Sequence, residues 1–197
     1  MIIDKLARSL QLKVVYFGPA MSGKTTSMKA LFNHFGRKDD VYSIESTVNR
    51  TLFFDYGTFS FQNNQWMLKV HVYSTTGQDF YLITRPITLK AIDGLIFVVD
   101  SQKIAFERNI ISWNELDSYL GTNLIELPKI IAFNKQDLPN KFCSAIFLKK
   151  IDYIKYKNIN TKFTIALNGE GILESFETIL RLIFNSSFGN ALIPTFN

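Results

Sequence analysis

The 197-residue sequence is poor in the residues that build disulfide scaffolds and histidine-based metal sites. It contains one cysteine, Cys143, so it can form no internal disulfide, and a single thiol fits a reducing compartment. It contains two histidines, His34 and His71, and neither has a set of carboxylates or cysteines near it in the sequence. We therefore expect no disulfide, no histidine-based metal site and a cytoplasmic location.

Long hydrophobic runs are also missing. No stretch approaches the roughly 18 unbroken apolar residues that a membrane span requires. The N-terminal stretch MIIDKLARSLQLKVVYF is broken by charged residues and lacks the apolar core of a signal peptide. The sequence has neither an N-terminal Met-Gly nor a C-terminal prenylation motif. These absences predict a protein without a stable membrane anchor.

Charge is only modestly asymmetric, with 22 Lys and Arg against 17 Asp and Glu and a net charge of +5. Lysines concentrate between 149 and 162, but Asp152 interrupts them and no aromatic ladder accompanies them. Such a region is more typical of a solvated surface than of a nucleic-acid site, so we expect no nucleic-acid partner.

Short apolar runs alternate with helical patterns along the chain. Strands are predicted at 12–17, 51–61, 66–73, 94–100, 129–134 and 162–166, and helices near 24–35, 80–91, 104–120, 143–152 and 171–184. Unbroken apolar strands such as GLIFVVD are typical of a sheet covered by helices on both faces. The turn QNNQ predicts a hairpin between the second and third strands. The pattern indicates an α/β domain with a mostly parallel six-stranded sheet and one antiparallel edge strand. We place this single domain at 1–184 and a flexible tail at 185–197.

The stretch GPAMSGKTT, at 18–26, follows the first apolar strand and opens a helix. It matches the phosphate-loop pattern GxxxxGK[ST], in which backbone N–H groups and a helix N-terminus surround phosphate oxygens. Lys24 would span the outer phosphates and Thr25 would bind Mg²⁺. The predicted contacts are Gly18, Ala20, Met21, Ser22, Gly23, Lys24, Thr25 and Thr26.

A second motif, Asn134-Lys135-Gln136-Asp137, ends the strand KIIAFN and indicates which base is bound. The Asp137 carboxylate can accept two hydrogen bonds from the N1–H and the exocyclic amine of guanine, which adenine does not offer. Asn134 would serve the other edge of the base, and the stem of Lys135 would cover its ring. Further along, the Ala166 N–H could point at guanine O6, next to Leu167.

A third motif, STTGQ at 74–78, follows the strand WMLKVHVY. Small GTPases usually carry Asp-x-x-Gly-Gln here, with the glycine N–H sensing the terminal phosphate and the glutamine orienting the attacking water. Gly77 and Gln78 are present, whereas Ser74 stands where the Mg²⁺-holding aspartate is usual.

Together these residues resemble the MglA-type small Ras-like GTPases of bacteria and archaea, over about residues 10–184. The matching segments are VVYFGPAMSGKTT, NRTLFFD, STTGQDFY, GLIFVVDSQ, NKQDLPN and NGEGILESFETI. The resemblance implies a P-loop NTPase fold of the small G-domain type. It implies switch loops near 40–51 and 74–85, and GTP and GDP as substrate and product.

The resemblance also implies roles for single residues. Thr51 would grasp Mg²⁺ and the terminal phosphate, Arg50 would be a built-in arginine finger, and Gln78 and Lys24 would complete the catalytic set. The usual activator of the family is a roadblock-type dimer, and relatives act in cell polarity and motility. The chain departs from the family pattern at Ala20, at Thr76 and in the tail after residue 184, which matches no known pattern. Ala20 and Ser74 alter the catalytic side of the site and leave the binding motifs whole.

Those departures leave two hypotheses open. In the first, the protein is a GTP-hydrolysing switch with slow intrinsic turnover that a partner stimulates. In the second, it is a GTP- or GDP-binding interaction module with negligible hydrolysis. A metabolic kinase is disfavoured, because the chain shows no acceptor-substrate domain and NKQD indicates guanine.

Overall fold

The structure, a computed structural model, describes residues 1–44, 54–62, 65–75 and 84–189. Within these ranges the strands are β1 (Ile2–Asp4), β2 (Ser9–Phe17), β3 (Tyr42–Ile44), β4 (Phe54–Gln62), β5 (Met67–Thr75), β6 (Gly94–Asp100), β7 (Lys129–Asn134) and β8 (Ile159–Phe163). The α-helices are α1 (Lys24–His34), α2 (Thr84–Leu89), α3 (Phe106–Leu120), α4 (Asn123–Glu126), α5 (Ser144–Lys150) and α6 (Ile172–Phe188).

All eight described strands belong to one mixed sheet with the order β3-β4-β5-β2-β6-β7-β8, and β1 pairs with β2. The pairings from β5 through β2, β6 and β7 to β8 are parallel. The β3–β4, β4–β5 and β1–β2 pairings are antiparallel. The predicted mostly parallel sheet and its hairpin are thus confirmed.

Helices cover both faces of the sheet, because the central strands are apolar on both faces. Every residue of β6 is buried. On one face, α1 and α6 close a core that includes Phe32, Phe59 and Phe176. On the other face, α3 and α5 close a core that includes Phe97, Trp113 and Phe147. Among the described helices, none is both long and apolar enough to cross a bilayer.

Several details differ from the sequence-based expectation, and the sheet has eight strands among the described residues where six were predicted. The two three-residue strands β1 and β3 were not predicted, and β3 lies outside β4, so β4 is not the outermost strand. Helix α4 was not predicted either. The last strand lies at Ile159–Phe163 rather than 162–166, because the apolar residues after it turn into the loop.

Helix α6 also runs four residues beyond its predicted end, to Phe188. The rings of Phe184 and Phe188 stack with centroids 6.2 Å apart, which extends the apolar stripe past the predicted end of the helix. The first residues of the predicted 185–197 tail are therefore helical, and residues 190–197 lie outside the described part.

Candidate functional site

The predicted motifs meet at one edge of the sheet, because parallel strands end on the same side. Strand β2 runs into the phosphate loop, β6 ends at Asp100, and β7 ends at Asn134. The loop after β8 carries Thr164 and Ala166 to the same edge. Residues far apart in sequence thus lie close together at the carboxyl ends of the strands.

The phosphate loop, residues 18–23, requires glycine at both of its ends. Gly18 has φ +142°, and a Cβ there would lie 2.4 Å from the Val98 carbonyl oxygen. Gly23 has φ +103°, and a Cβ there would lie 2.2 Å from Asn134 Nδ2. Met21 also has positive φ and is 81% exposed. The two glycines of the motif therefore allow the loop to pass close to β6 and β7.

Lys24 points into this loop from the first turn of α1. Its Nζ donates hydrogen bonds to the carbonyl oxygens of Gly18, at 2.9 Å, and Pro19, at 2.7 Å. Burial lowers the pKa of Lys24 to about 7, and the Arg85 charge adds to this, while Asp55 and Glu115 act in the opposite direction. A phosphate beside this amine would favour its charged form, as expected for a phosphate-binding lysine.

Thr25 contacts a carboxylate that the sequence analysis missed. The Thr25 hydroxyl donates a 2.5 Å hydrogen bond to Asp55 Oδ2. Asp55 is 5% exposed and lies on β4, directly opposite Ser74 of β5. Strand β4 thus supplies, from the neighbouring position, the carboxylate that residue 74 lacks. Two features of the sequence could have identified Asp55: it is an acid inside the aromatic run TLFFDYGTF, and position 74 lacks the usual acid.

Asn134 connects the base-recognition segment to the phosphate loop. Its Nδ2 donates to the Ser22 carbonyl oxygen at 2.8 Å. Its Oδ1 accepts from the Ala166 N–H at 2.9 Å and from the Thr164 hydroxyl at 3.2 Å. The Ala166 N–H thus donates to Asn134, and its contact with guanine O6 stays a prediction. Asn134 itself acts as a brace between three segments.

Lys135 is held in place by the end of β6. It has positive φ, and its Nζ bonds to Asp100 Oδ2 at 2.7 Å. Asp100 is in turn fixed because its N–H donates to Asn109 Oδ1 and its Oδ1 accepts from the Gln102 N–H. This arrangement fixes the course of the Lys135 stem. Asp137 and Leu167 are exposed at the same edge, where a base could reach them.

Other predicted residues are less informative or lie outside the described ranges. Ala20 and Thr26 are half-buried in and after the phosphate loop, and the Ser22 side chain is buried. Arg50, Thr51, Thr76, Gly77 and Gln78 lie outside the described residues. Beyond them, Arg85 on α2 forms a buried ion pair with Glu115 of α3.

Comparison with known proteins agrees with this geometry. The sequence profile of the ADP-ribosylation factor family matches residues 1–183. The chain belongs to this family of small GTPases. It is accordingly a GTP-hydrolysing enzyme with the guanine-nucleotide binding of its family.

Two curated relatives are similar over most of this GTPase. The mutual gliding-motility protein MglA of Myxococcus xanthus (strain DK1622) is 32% identical over 187 residues, which cover 92% of this chain and 94% of that protein. Rab-5B of Plasmodium falciparum (isolate 3D7) is 26% identical over 182 residues, covering 92% and 82%. The first similarity confirms the MglA-type resemblance.

A solved structure supports the fold alone. The Arl6 BBS3 small GTPase of Trypanosoma brucei, with bound GppNp, matches with a TM-score of 0.64 and 19% identity. The match covers 90% of this chain and all of that one.

Proposed function

We propose that this GTPase is a molecular switch that hydrolyses GTP slowly by itself and faster with a separate roadblock-type protein. The observation that carries the proposal is the convergence of Lys24, the Thr25–Asp55 pair and the Asn134 brace at one sheet edge. The switch loops near 40–51 and 74–85 would report the nucleotide to partners. By similarity to the gliding-motility protein MglA, those partners would act in cell polarity or motility.

Mg²⁺ fits the residues present. The Thr25 hydroxyl and the Asp55 carboxylate are hard oxygen donors, and they already meet at 2.5 Å in a position shielded from solvent. We assign both residues as holders of the ion, together with Thr51. The ion, when bound, neutralises charge on the phosphates. Lys24 would contact the outer phosphate oxygens from the side of the loop.

For the chemical step, we assign Gln78 to orient the attacking water and Arg50 to stabilise the charge of the transition state. An arginine finger contributes roughly 10³ to 10⁵ in rate. Because the arginine would be carried by the chain itself, the roadblock-type partner would act by arranging the switch loops rather than by donating a side chain.

The second hypothesis is a GTP- or GDP-binding interaction module, in which the hydrolysis typical of the family has a negligible rate. Two observations favour it. Ala20 adds a methyl group to the phosphate loop, where it could crowd the approach of Gln78. The Ser74 hydroxyl is buried with no hydrogen-bond partner among the described residues, and it replaces a carboxylate. Both changes leave Lys24, Asn134 and Asp137 in place, so binding without turnover is chemically consistent with this sequence.

Single-turnover GTP hydrolysis with Mg²⁺ decides between the two. The protein is measured alone and with a candidate roadblock dimer, beside Arg50→Ala and Gln78→Leu. Arg37→Ala is the matched control, because Arg37 is an exposed loop arginine. The switch hypothesis expects stimulation by the partner that either Arg50→Ala or Gln78→Leu removes and Arg37→Ala retains. Tight GTP binding with no stimulation and no effect of any variant would establish the binding module instead.

A further inference from the structure

A groove lies between the start of α3 and the start of α5, outside the predicted nucleotide contacts. It has a volume of about 570 Å³ and is lined by Lys103, Phe106, Lys141, Phe142, Cys143 and Ile146. We call it the α3–α5 groove. None of its six lining residues belongs to the phosphate loop or to the segments at 134–137 and 164–167, so the nucleotide does not account for it.

The floor of the groove is aromatic and is fixed from below. The rings of Phe106 and Phe142 meet edge to face with centroids 4.9 Å apart. Both rings also contact Phe147, which is fully buried in the core. The floor is thus an extension of packed core that reaches the surface. Because this apolar floor is already rigid, it loses little conformational entropy when a partner binds, which favours its use as a docking site.

The rim of the groove is positively charged. The two charged lining residues are both lysines, Lys103 and Lys141, and no carboxylate is among the described residues that line it. Helix α5 adds the exposed Lys149 and Lys150, whereas the nearest acid along α3 is the exposed Glu107. Ile146, 59% exposed, and Ile104, 86% exposed and next to Lys103, extend the apolar surface. Charge complementarity therefore calls for an occupant that is acidic and partly apolar.

The shape of the groove selects the class of occupant. The groove is concave, so it receives an inserted side chain better than it inserts its own residues into a bilayer. It is open to solvent on its outer side, so it would not enclose most of a small ligand, as small-molecule sites do. A segment of a protein, with one bulky apolar side chain and flanking carboxylates, fits both features.

The wall of the groove continues into the base-recognition segment. The Lys103 N–H donates to the Asn140 carbonyl oxygen and the Phe142 N–H donates to the Ser101 carbonyl oxygen, each at 2.9 Å. The Lys141 Nζ donates to the carbonyl oxygen of Gln136, the residue before Asp137. A carboxylate that engages Lys141 would compete with this last bond and act on the loop that reads guanine.

We propose that the α3–α5 groove docks an acidic segment of a partner protein, which places a bulky apolar side chain between Lys103 and Lys141. Docking changes the rate at which guanine nucleotide is released, through the Lys141–Gln136 contact. This effect on release rests on the proposed function, whereas the docking itself does not.

The single cysteine of the chain provides the assay, because Cys143 is exposed and lines the groove. Peptides are selected from a displayed random library on the GDP-loaded protein, and each selected peptide is tested for protection of Cys143 from iodoacetamide. We expect acidic peptides with an aromatic or large aliphatic residue. At about ten times its dissociation constant, such a peptide leaves only about one site in ten free, so alkylation slows about tenfold. The same peptides are then added to protein loaded with a fluorescent GDP analogue, and they change its release rate.

Charge reversal gives the discriminating variant. Lys103→Glu with Lys141→Glu should lower peptide affinity more than about tenfold, through like-charge repulsion. Ile146→Ser should weaken it with no change of charge. Lys149→Glu with Lys150→Glu makes the same change of charge on α5 outside the groove lining, and it should weaken binding less than Lys103→Glu with Lys141→Glu. GDP binding reports that each variant is folded, and the alkylation rate of each variant without peptide is the reference for its own protection.

Three outcomes would overturn the docking site: no selected peptide protects Cys143, the protecting peptides are not acidic, or protection survives Lys103→Glu with Lys141→Glu. Vesicles containing phosphatidylserine that protect Cys143 and displace the peptide would assign the groove to lipid and overturn it as well. Protection with no change in nucleotide release would support the docking site and overturn its coupling to release. Loss of GTP hydrolysis by itself affects only the proposed function.

Discussion

Asn134 donates a 2.8 Å hydrogen bond to the Ser22 carbonyl oxygen, across 112 positions of sequence. This bond joins the segment that reads the base to the loop that would hold the phosphates. Because the other end of the amide accepts from Ala166 and Thr164, one side chain aligns three loops. The segment predicted to read the base and the loop predicted to hold the phosphates are therefore coupled through Asn134.

The link predicts that Gly23→Ala abolishes tight nucleotide binding. The added Cβ would lie 2.2 Å from Asn134 Nδ2, and the φ of +103° is unfavourable for alanine, so both the brace and the loop must shift. Gly36→Ala is the matched control, since Gly36 also has positive φ, at +67°, but its Cβ would meet nothing within 4 Å. The affinity for a fluorescent GDP analogue is the measurement. Equal affinity of the two variants would contradict the prediction, because it would show that a Cβ at residue 23 disturbs neither the brace nor the loop.

Asp55→Asn should weaken the dependence of nucleotide binding on Mg²⁺. The amide keeps the shape of the side chain but removes the charge beside Thr25, and loss of one ligand or its support costs about 10- to 100-fold in metal affinity. The nucleotide release rate is measured as a function of Mg²⁺ concentration. Asp152→Asn, at an exposed acid, is the control.

The same pair offers a rescue experiment. Because Ser74 lies directly opposite Asp55 on β5, Ser74→Asp should restore part of the Mg²⁺ dependence in the Asp55→Asn background. In the wild-type background it should instead destabilise the fold, because two carboxylates would then be buried side by side. If Asp55→Asn releases nucleotide with the wild-type Mg²⁺ dependence, the assignment of Asp55 to the metal is wrong.

Glu115→Gln should lower the free energy of unfolding by about 1 to 3 kcal/mol. Glu115 accepts from the guanidinium of Arg85, which is 5% exposed, and the Arg85 guanidinium lies 6.0 Å from the centroid of the Phe17 ring. Glu115→Gln removes the negative charge with which Glu115 compensates the buried Arg85 guanidinium. Tyr119→Phe removes only the 2.9 Å bond from the Tyr119 hydroxyl to Glu115 and should cost about 1 kcal/mol or less. Urea unfolding measures the loss in free energy of unfolding for each variant. A loss in Tyr119→Phe as large as that in Glu115→Gln would contradict the prediction.

Nucleotide binding should take up protons at mildly alkaline pH. Burial and the Arg85 charge lower the pKa of Lys24 to about 7, so the amine of the nucleotide-free protein loses its proton as the pH rises through that value. Bound phosphate favours the charged amine and raises this pKa, so affinity should fall as the pH rises above about 7. Calorimetric titration with GDP near pH 8, in two buffers of different ionisation enthalpy, measures the uptake.

Lys129→Met is the control for that experiment. Burial lowers the pKa of Lys129 to about 8, but its Nζ donates to the carbonyl oxygens of Ile125 and Lys157, far from the phosphate loop in the fold. Proton uptake on GDP binding should therefore be the same in Lys129→Met as in the wild type. Binding enthalpies that do not depend on the buffer would show that Lys24 keeps its proton throughout.

The sequence determined the features that depend on local pattern. Residues 18–25 and 134–137 could be recognised because each motif is contiguous and directly follows an apolar strand. The first contains the glycines and the lysine suited to phosphate, and the second contains the side chains suited to guanine. The apolar run of β6 predicted a strand covered on both faces for the same local reason. The short strand β3 escaped prediction, because three residues carry too little pattern to be recognised.

Only the tertiary structure decided the pairings between distant residues. Asp55 reaches Thr25 because β4 pairs antiparallel with β5 in a register that sets Asp55 opposite Ser74, and a register shifted by one residue would turn Asp55 to the other face. Asn134 bonds to both Ser22 and the Ala166 N–H because the strands that lead into these three segments end at one edge of the sheet. The α3–α5 groove likewise exists only where two helices pack side by side on the sheet. Such contacts depend on register and packing, which a single sequence encodes only through the whole fold.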